Sequence, residues 1–355
     1  MMMKEKILLT LKNLREYALT KNCEVVLYFH EEDSYLMRFA NSAISLNTNE
    51  HLIRLEITAY DDKRRASYGM ITDLSRLDEM KSGIDTACEM VKHAMPLTYQ
   101  PTVPAYESTF IDESGFDPEL VQMSNEEKLA FINSVTAGLE TDEVKLSGIF
   151  SCGANTVAIM NTRSEHPMYF KTSDAQVSIV LAHSVLKWEV QSEQSAQQKG
   201  DLDAASMRNE LVFLLEHYTH DTPQQIPLGK YNIVFGCAAI ADLLNFMRYI
   251  GINGGLMKRG FSFLKEEDFN AQKFSQLLTL MDDPTRRETF PFRRDLYGLE
   301  REPFTFIEKG VFKTFAWLQD DADEFGQKPT GHTVPHVSLS MPAGSTPVGS
   351  LQELL

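Results

Sequence analysis

The sequence predicts an α+β fold: an N-terminal helix plus an antiparallel β-meander with packing helices, then a β-rich C-terminal domain. Three observations predict it. Apolar residues first recur at helical spacing, give way to a β-rich run from Cys23, and alternate over 52–60. The strand-like runs are joined by short polar turns, the pattern of an antiparallel meander. A stretch at 222–229 containing Pro223, Pro227 and Gly229 then divides the chain into domains at 1–222 and 229–355.

The elements follow in order. Ile7, Leu8, Leu11, Leu14 and Ala18 form one helical stripe. Residues 23–29 are a β-rich run. The acidic His30-Glu31-Glu32-Asp33 predicts a solvated hairpin tip, with strands at 34–39 and 43–46 around an Asn41-Ser42 turn. Residues 52–60 alternate, with Ile53, Leu55 and Ile57 on one face. Asp61-Asp62-Lys63 turns the chain into a strand at 65–71, and 75–94 is helical. Pro96, Pro101 and Pro104 mark an irregular crossing. Ser124-Asn125-Glu126-Glu127 has the form of a capping box, starting a helix to about Gly138. Residues 144–160 and 168–190 read as strands, 191–201 as a polar surface loop, and 204–217 as a helix. After the division, 231–235 predicts a short buried strand and 238–249 a helix, ended by Gly251, Gly254 and Gly255. Strands at 304–307 and 311–318 flank Lys309-Gly310.

Composition excludes several classes. A net charge of −16 argues against a protein held to nucleic acid by phosphate contacts, and against docking on an anionic membrane. No run approaches the ~20 apolar residues that span a bilayer, and the N-terminus lacks a signal-peptide core, so the cytoplasm is the expected location. The four cysteines, Cys23, Cys88, Cys152 and Cys237, lie far apart and predict buried thiols rather than a disulfide framework.

No self-sufficient catalytic motif stands out. His217 and His220 lie one helical turn apart and could hold a metal, or simply complement a helix terminus. His332 and His336 flank Pro335, which forbids a regular helix between them. Asp282-Asp283-Pro284 suits a cation or a turn, with the turn favoured. There is no GxSxG elbow, no Walker A loop and no GxGxxG.

Several stretches, in order, resemble the TldD/PmbA family of peptide-processing proteins, also called modulators of DNA gyrase. They are Gly229-Lys230-Tyr231-Asn232-Ile233-Val234-Phe235, Ala238-Ala239-Ile240-Ala241-Asp242-Leu243-Leu244, Gly260-Phe261-Ser262-Phe263-Leu264, Asp282-Asp283-Pro284, Pro291-Phe292, Ile307-Glu308-Lys309-Gly310-Val311 and Pro329-Thr330-Gly331-His332. One branch of that family carries a zinc helix reading HExxxH. Aligned on the resemblance, those positions fall in 243–250 on Asn245, Phe246 and Ile250, which implies the metal-free, PmbA/TldE-like branch. The resemblance thus implies a non-catalytic subunit of a cytosolic metallopeptidase system. No cofactor is expected in this chain, and zinc is expected in a TldD-like partner. Asp282, Asp283, Gly331 and His332 are the implied peptide-cleft residues; His217, His220 and His332 remain alternative metal ligands. The implied partners are a TldD-like subunit or a second copy, and an unfolded peptide, with no nucleic acid and no membrane. The alternative is a homo-oligomeric adaptor without peptidase activity. Two departures stand out. Where the family shows an acidic residue and a Gly after Pro-Phe, this chain reads Arg293-Arg294. It also ends at Leu355, short of the family's usual C-terminus, which implies an incomplete C-terminal sheet whose edges favour association.

Overall fold

A computed structural model describes residues 3–220, 225–290, 292–332 and 338–343. Helix α1 (Met3–Ala18) buries Ile7, Leu11, Leu14 and Ala18, the stripe set by their helical spacing. Strands β1 (Glu24–Ala40), β2 (Ala43–Asp61) and β3 (Arg64–Thr72) form the antiparallel meander. Helix α2 (Leu77–His93) returns across it, burying Met80, Ile84, Ala87, Cys88 and Val91. Next come β4 (Phe110–Gly115), α3 (Pro118–Val121) and α4 (Asn125–Thr136). The capping box is present: Glu127 N donates to Ser124 Oγ at 3.1 Å, and Ser124 N donates to the Glu127 carboxylate at 2.8 Å. Long strands β5 (Val144–Asn161) and β6 (Met168–His183) follow, then β7 (Glu189–Ala196) and α5 (Ala204–His220). The seven strands make one sheet, ordered β3-β2-β1-β5-β6-β4, with β7 also paired to β6. Only β4 runs parallel to its neighbour.

Two expectations about this sheet need correction. His30-Glu31-Glu32-Asp33 is not a hairpin tip but the middle of β1. The strand continues because each charged side chain finds a place. Arg54 of β2 donates to Glu32 at 2.7 Å, and His51 bonds Asp33. Glu31 points inward, where burial pushes its carboxyl above the usual range. The expected strand at 168–190 breaks at a turn after His183, and the expected polar loop at 191–201 supplies most of β7.

One face of the sheet carries two cores. Val25, Leu27, Phe29 and Met160 pack under α1 and α2. Tyr35, Met37, Phe39 and Phe150 pack with Leu120 of α3, Ile132 and Val135 of α4 and Leu211 of α5. The opposite face presents Val26, Tyr28, Ile159 and Phe170, and the C-terminal region docks there.

The C-terminal region is less β-rich than the sequence predicts. It comprises α6 (Cys237–Phe246), which runs on as a π-type turn over Met247–Gly251, then α7 (Gly254–Lys258) and α8 (Gln319–Phe325). Strands β8 (Leu280–Asp282), β9 (Phe304–Glu308), β10 (Val311–Phe312) and β11 (Leu339–Ser340) are only two to five residues long and form a sheet ordered β10-β9-β8-β11. Its core holds Leu264, Phe306, Phe312, Phe315 and Trp317. The buried strand expected at 231–235 is not formed: Ile233 and Phe235 are 64% and 50% exposed, and no strand partner exists among the described residues. An apolar run is buried only where something covers it, and nothing described does so here.

The cysteine expectation also changes. Cys23 and Cys88, 65 residues apart, form a disulfide. Cys23 directly precedes β1, and Cys88 sits on the inward stripe of α2. The fold therefore brings their Cα atoms to 6.3 Å, within disulfide reach. Cys152 is a buried thiol and Cys237 an exposed one. Denatured protein kept free of reductant is expected to titrate two thiols, rising to all four cysteines after reduction. Four thiols before reduction would refute the pairing.

Candidate functional site

A docked segment of the C-terminal region meets the open sheet face. Phe292 and Leu296 pack against Tyr28, Val157, Ile159 and Phe170, and the Phe170 and Phe292 rings lie edge-on at 5.5 Å. Polar ties surround this apolar plug. Tyr106 Oη donates to the Leu296 carbonyl at 2.8 Å, and Arg65 pairs with Asp320 at 2.8 Å. Thr102 donates its N–H and hydroxyl to Asp323 at 2.7 and 2.9 Å.

Beside the plug lies a cleft of about 500 Å³ between the faces of β1–β3 and the loop at Leu296 and Tyr297. Its lining includes Tyr28, Glu56, Thr58, Tyr60, Arg65 and Ser67. These residues come from alternating positions on neighbouring strands, so the sheet's two-residue period aims them at one space. Burial pushes the Tyr60 and Tyr297 phenols up, so both remain neutral donors at physiological pH. Burial opposes the charge on Arg65, but the Asp320 carboxylate outweighs it and holds the guanidinium charged. The cleft thus offers aromatic surface, hydroxyls and one fixed cation. Groups of this kind can bind and orient a ligand, and the lining named here contains no Ser/Cys–His pair.

The sequence-predicted residues lie elsewhere. Asp282 is fully buried and accepts two hydrogen bonds from Arg301 Nη2, at 2.9 and 2.8 Å. His332 Nδ1 lies 2.7 Å from the same carboxylate, and Ser338 N donates to it at 2.7 Å. Phe304 stacks on the His332 ring at 4.4 Å. Burial pushes the Asp282 carboxyl up, but His332 and Arg301 outweigh it and hold it below the usual range. Asp283 closes the following turn, accepting from Thr285 N at 3.1 Å and from Thr285 Oγ1. Gly331, beside His332, takes φ +72°, a conformation that favours glycine. The structure brings Asp282 and His332 together in a sealed network, and none of Asp282, Asp283, Gly331 and His332 lines the cleft. Asp282 and His332 are held inside the C-terminal core, with Asp283 in the turn that follows and Gly331 beside His332. Sequence reasoning missed Arg301 and every cleft residue.

His217 and His220 are exposed at the end of α5, each with Nδ1 2.8 Å from the carbonyl four residues earlier. His336 and Pro335 lie outside the described residues, as does Pro291. Among the described residues, no three His, Cys, Asp or Glu side chains converge. Asn245 and Phe246 of α6, and Ile250 just beyond, are all exposed. An amide, a phenyl and an alkyl group do not fit zinc, which takes imidazole, thiolate or carboxylate.

Residues 228–353 match the model for the PmbA/TldA metallopeptidase C-terminal domain. No curated protein sequence matches the chain. Among solved structures, the fold resembles a candidate modulator of DNA gyrase from Bacteroides thetaiotaomicron (17% identity, TM-score 0.80, covering 94% of this chain and 77% of that one). It also resembles a candidate modulator from Thermotoga maritima (18%, TM-score 0.73, covering 97% and 79%). TldE from Thermococcus kodakarensis is similar as well (16%, TM-score 0.74, covering 97% and 79%).

Proposed function

We propose that this chain, which belongs to the PmbA/TldD family through residues 228–353, is the non-catalytic subunit of a metallopeptidase pair. It holds an unfolded peptide in the cleft, while a TldD-like partner supplies the zinc. The observation that carries this reading is the helix of a metallopeptidase-family domain that offers Asn245, Phe246 and Ile250 where the resemblance places two imidazoles and a carboxylate. The cleft supports it, since Tyr28, Tyr60, Thr58 and Arg65 suit a peptide backbone and mixed side chains. The proposed location is the cytoplasm, where a Cys23–Cys88 bond would be the exception, so the thiol titration bears on it.

Unfolded peptides incubated with the purified chain and zinc are expected to remain intact. Cleavage is expected only when a TldD-like subunit is added. Zinc-dependent cleavage by this chain alone would sink the proposal. A stable homo-oligomer that captures gyrase and ignores the TldD-like subunit would replace it with the adaptor reading.

A further inference from the structure

Two charged side chains, Glu56 and Arg65, line the cleft beside the docked segment. They stand toward opposite ends of it. Arg65 of β3 faces Tyr60 of β2, whereas Glu56 lies between Tyr28 of β1 and Gly69 of β3. Tyr60 is four positions beyond Glu56, about 13 Å of extended strand.

The two charges differ in their commitments. Arg65 donates to Asp320 at 2.8 Å, so this end of the cleft is neutralised. Glu56 is exposed and makes no hydrogen bond or ion pair among the described residues. The basic groups nearest to it on the same sheet face are already engaged. Arg54, two positions away on β2, donates to Glu32 at 2.7 Å, and His30 Nε2 lies 2.9 Å from Asn155 Oδ1. Helix α8, which supplies Asp320, brings no spare cation. Its Asp323 accepts from Thr102, a neutral partner, while Asp321 and Glu324 share Arg259. The cleft therefore holds one uncompensated negative charge, at Glu56.

The surroundings of Glu56 suit a positively charged ligand. Tyr28 is its direct cross-strand neighbour. Burial, and then the Glu56 carboxylate, push the Tyr28 phenol up and keep it neutral. On the other side Gly69 leaves the space open, since a Cβ there would meet no atom within 4 Å. The adjoining Thr58 and Ser67 hydroxyls are bonded to each other at 2.8 Å and add no charge. A carboxylate and an aromatic ring both attract a cation, and a carboxylate repels an acidic side chain.

We infer that the cleft selects peptides carrying a lysine or arginine side chain, which Glu56 holds beside Tyr28. The inference rests on the peptide-holding reading above and names the class of peptide. The test uses three labelled heptapeptides, with affinity read by fluorescence anisotropy. The first has a central lysine and the second a central norleucine, both with blocked termini. The third is the norleucine peptide with a free N-terminal amine. The lysine peptide is expected to bind the wild-type chain about tenfold more tightly than the blocked norleucine peptide, the usual scale for a charge-assisted contact. The difference should shrink at high salt. Glu56→Gln should bind both blocked peptides equally, whereas Glu189→Gln, outside the lining, should discriminate as the wild type does. Equal binding of the two blocked peptides by the wild type would overturn the inference while leaving the peptide-holding reading intact. Tight binding of the third peptide alone would assign the contact to an N-terminal amine and likewise overturn it. If no peptide binds, the peptide-holding reading fails and the cation site is read directly. N-acetyl-lysine methylamide and N-acetyl-norleucine methylamide are then titrated into 15N-labelled protein. Shifts at Glu56 and Gly69 caused by the lysine compound alone, and abolished in Glu56→Gln, sustain cation binding. No shift, or equal shifts from both compounds, overturns it.

Discussion

Asp282→Ala is expected to destabilise the C-terminal region by about 3–5 kcal/mol, the usual cost of removing one member of a buried ion pair. The loss leaves Arg301, His332 and Ser338 N without their shared acceptor in a site that excludes water. Whole domains are stable by only about 5–15 kcal/mol, so urea denaturation should show an early transition or loss of the C-terminal core. A midpoint within error of the wild type would show that the network is dispensable. The pH dependence has a definite sign. The folded Asp282 carboxyl titrates below its ordinary value, so its contribution is complete above the ordinary carboxyl pKa of about 4. It disappears as pH falls through the lower, folded value. An acid-induced transition there should be present in the wild type and absent from Asp282→Ala.

Phe246→Asp is expected to weaken association with a TldD-like subunit, or with a second copy, by about 2 kcal/mol or more, roughly a 30-fold rise in Kd. Phe246 is 69% exposed on α6, a helix with no buried residue. Ile226, Leu228, Ile233 and Leu243 are exposed nearby in sequence, at 77%, 106%, 64% and 52%. Large apolar side chains exposed this often along one stretch are the reason for placing the contact there. Because the side chain contributes little to the monomer core, unfolding midpoints should barely move while sedimentation velocity shows dissociation. Unchanged association would place the partner elsewhere.

Part of this architecture was legible in the sequence. The stripe from Ile7 to Ala18 and the Ser124–Glu127 capping box carry local physics, and both form as read. The hairpin read at His30–Asp33 failed because local charge suggests solvent, while Arg54 and His51 on β2 make a continuous strand tolerable. Those partners are cross-strand neighbours, invisible to a window moving along the chain. The disulfide was missed for the same reason: nothing in a 65-residue spacing signals that α2 folds back beside the start of β1. At the candidate site, the resemblance drew attention to Asp282 and His332 but could not tell a sealed network from an open cleft. The distinction rests on Arg301, 19 residues away from Asp282. The cleft residues carry no motif, because three strands and a distant loop assemble them.

The continuity of β1 has a mechanical consequence. Its side chains enter the α1/α2 core at Val25, Leu27 and Phe29, and the α3–α5 core at Tyr35, Met37 and Phe39, all on one parity. A slip of one residue against β2 would expel both sets together. The strand therefore acts as a rigid rod joining the two helical layers, and loosening under one is transmitted to the other. Amide hydrogen exchange along β1 should report a single opening event rather than two.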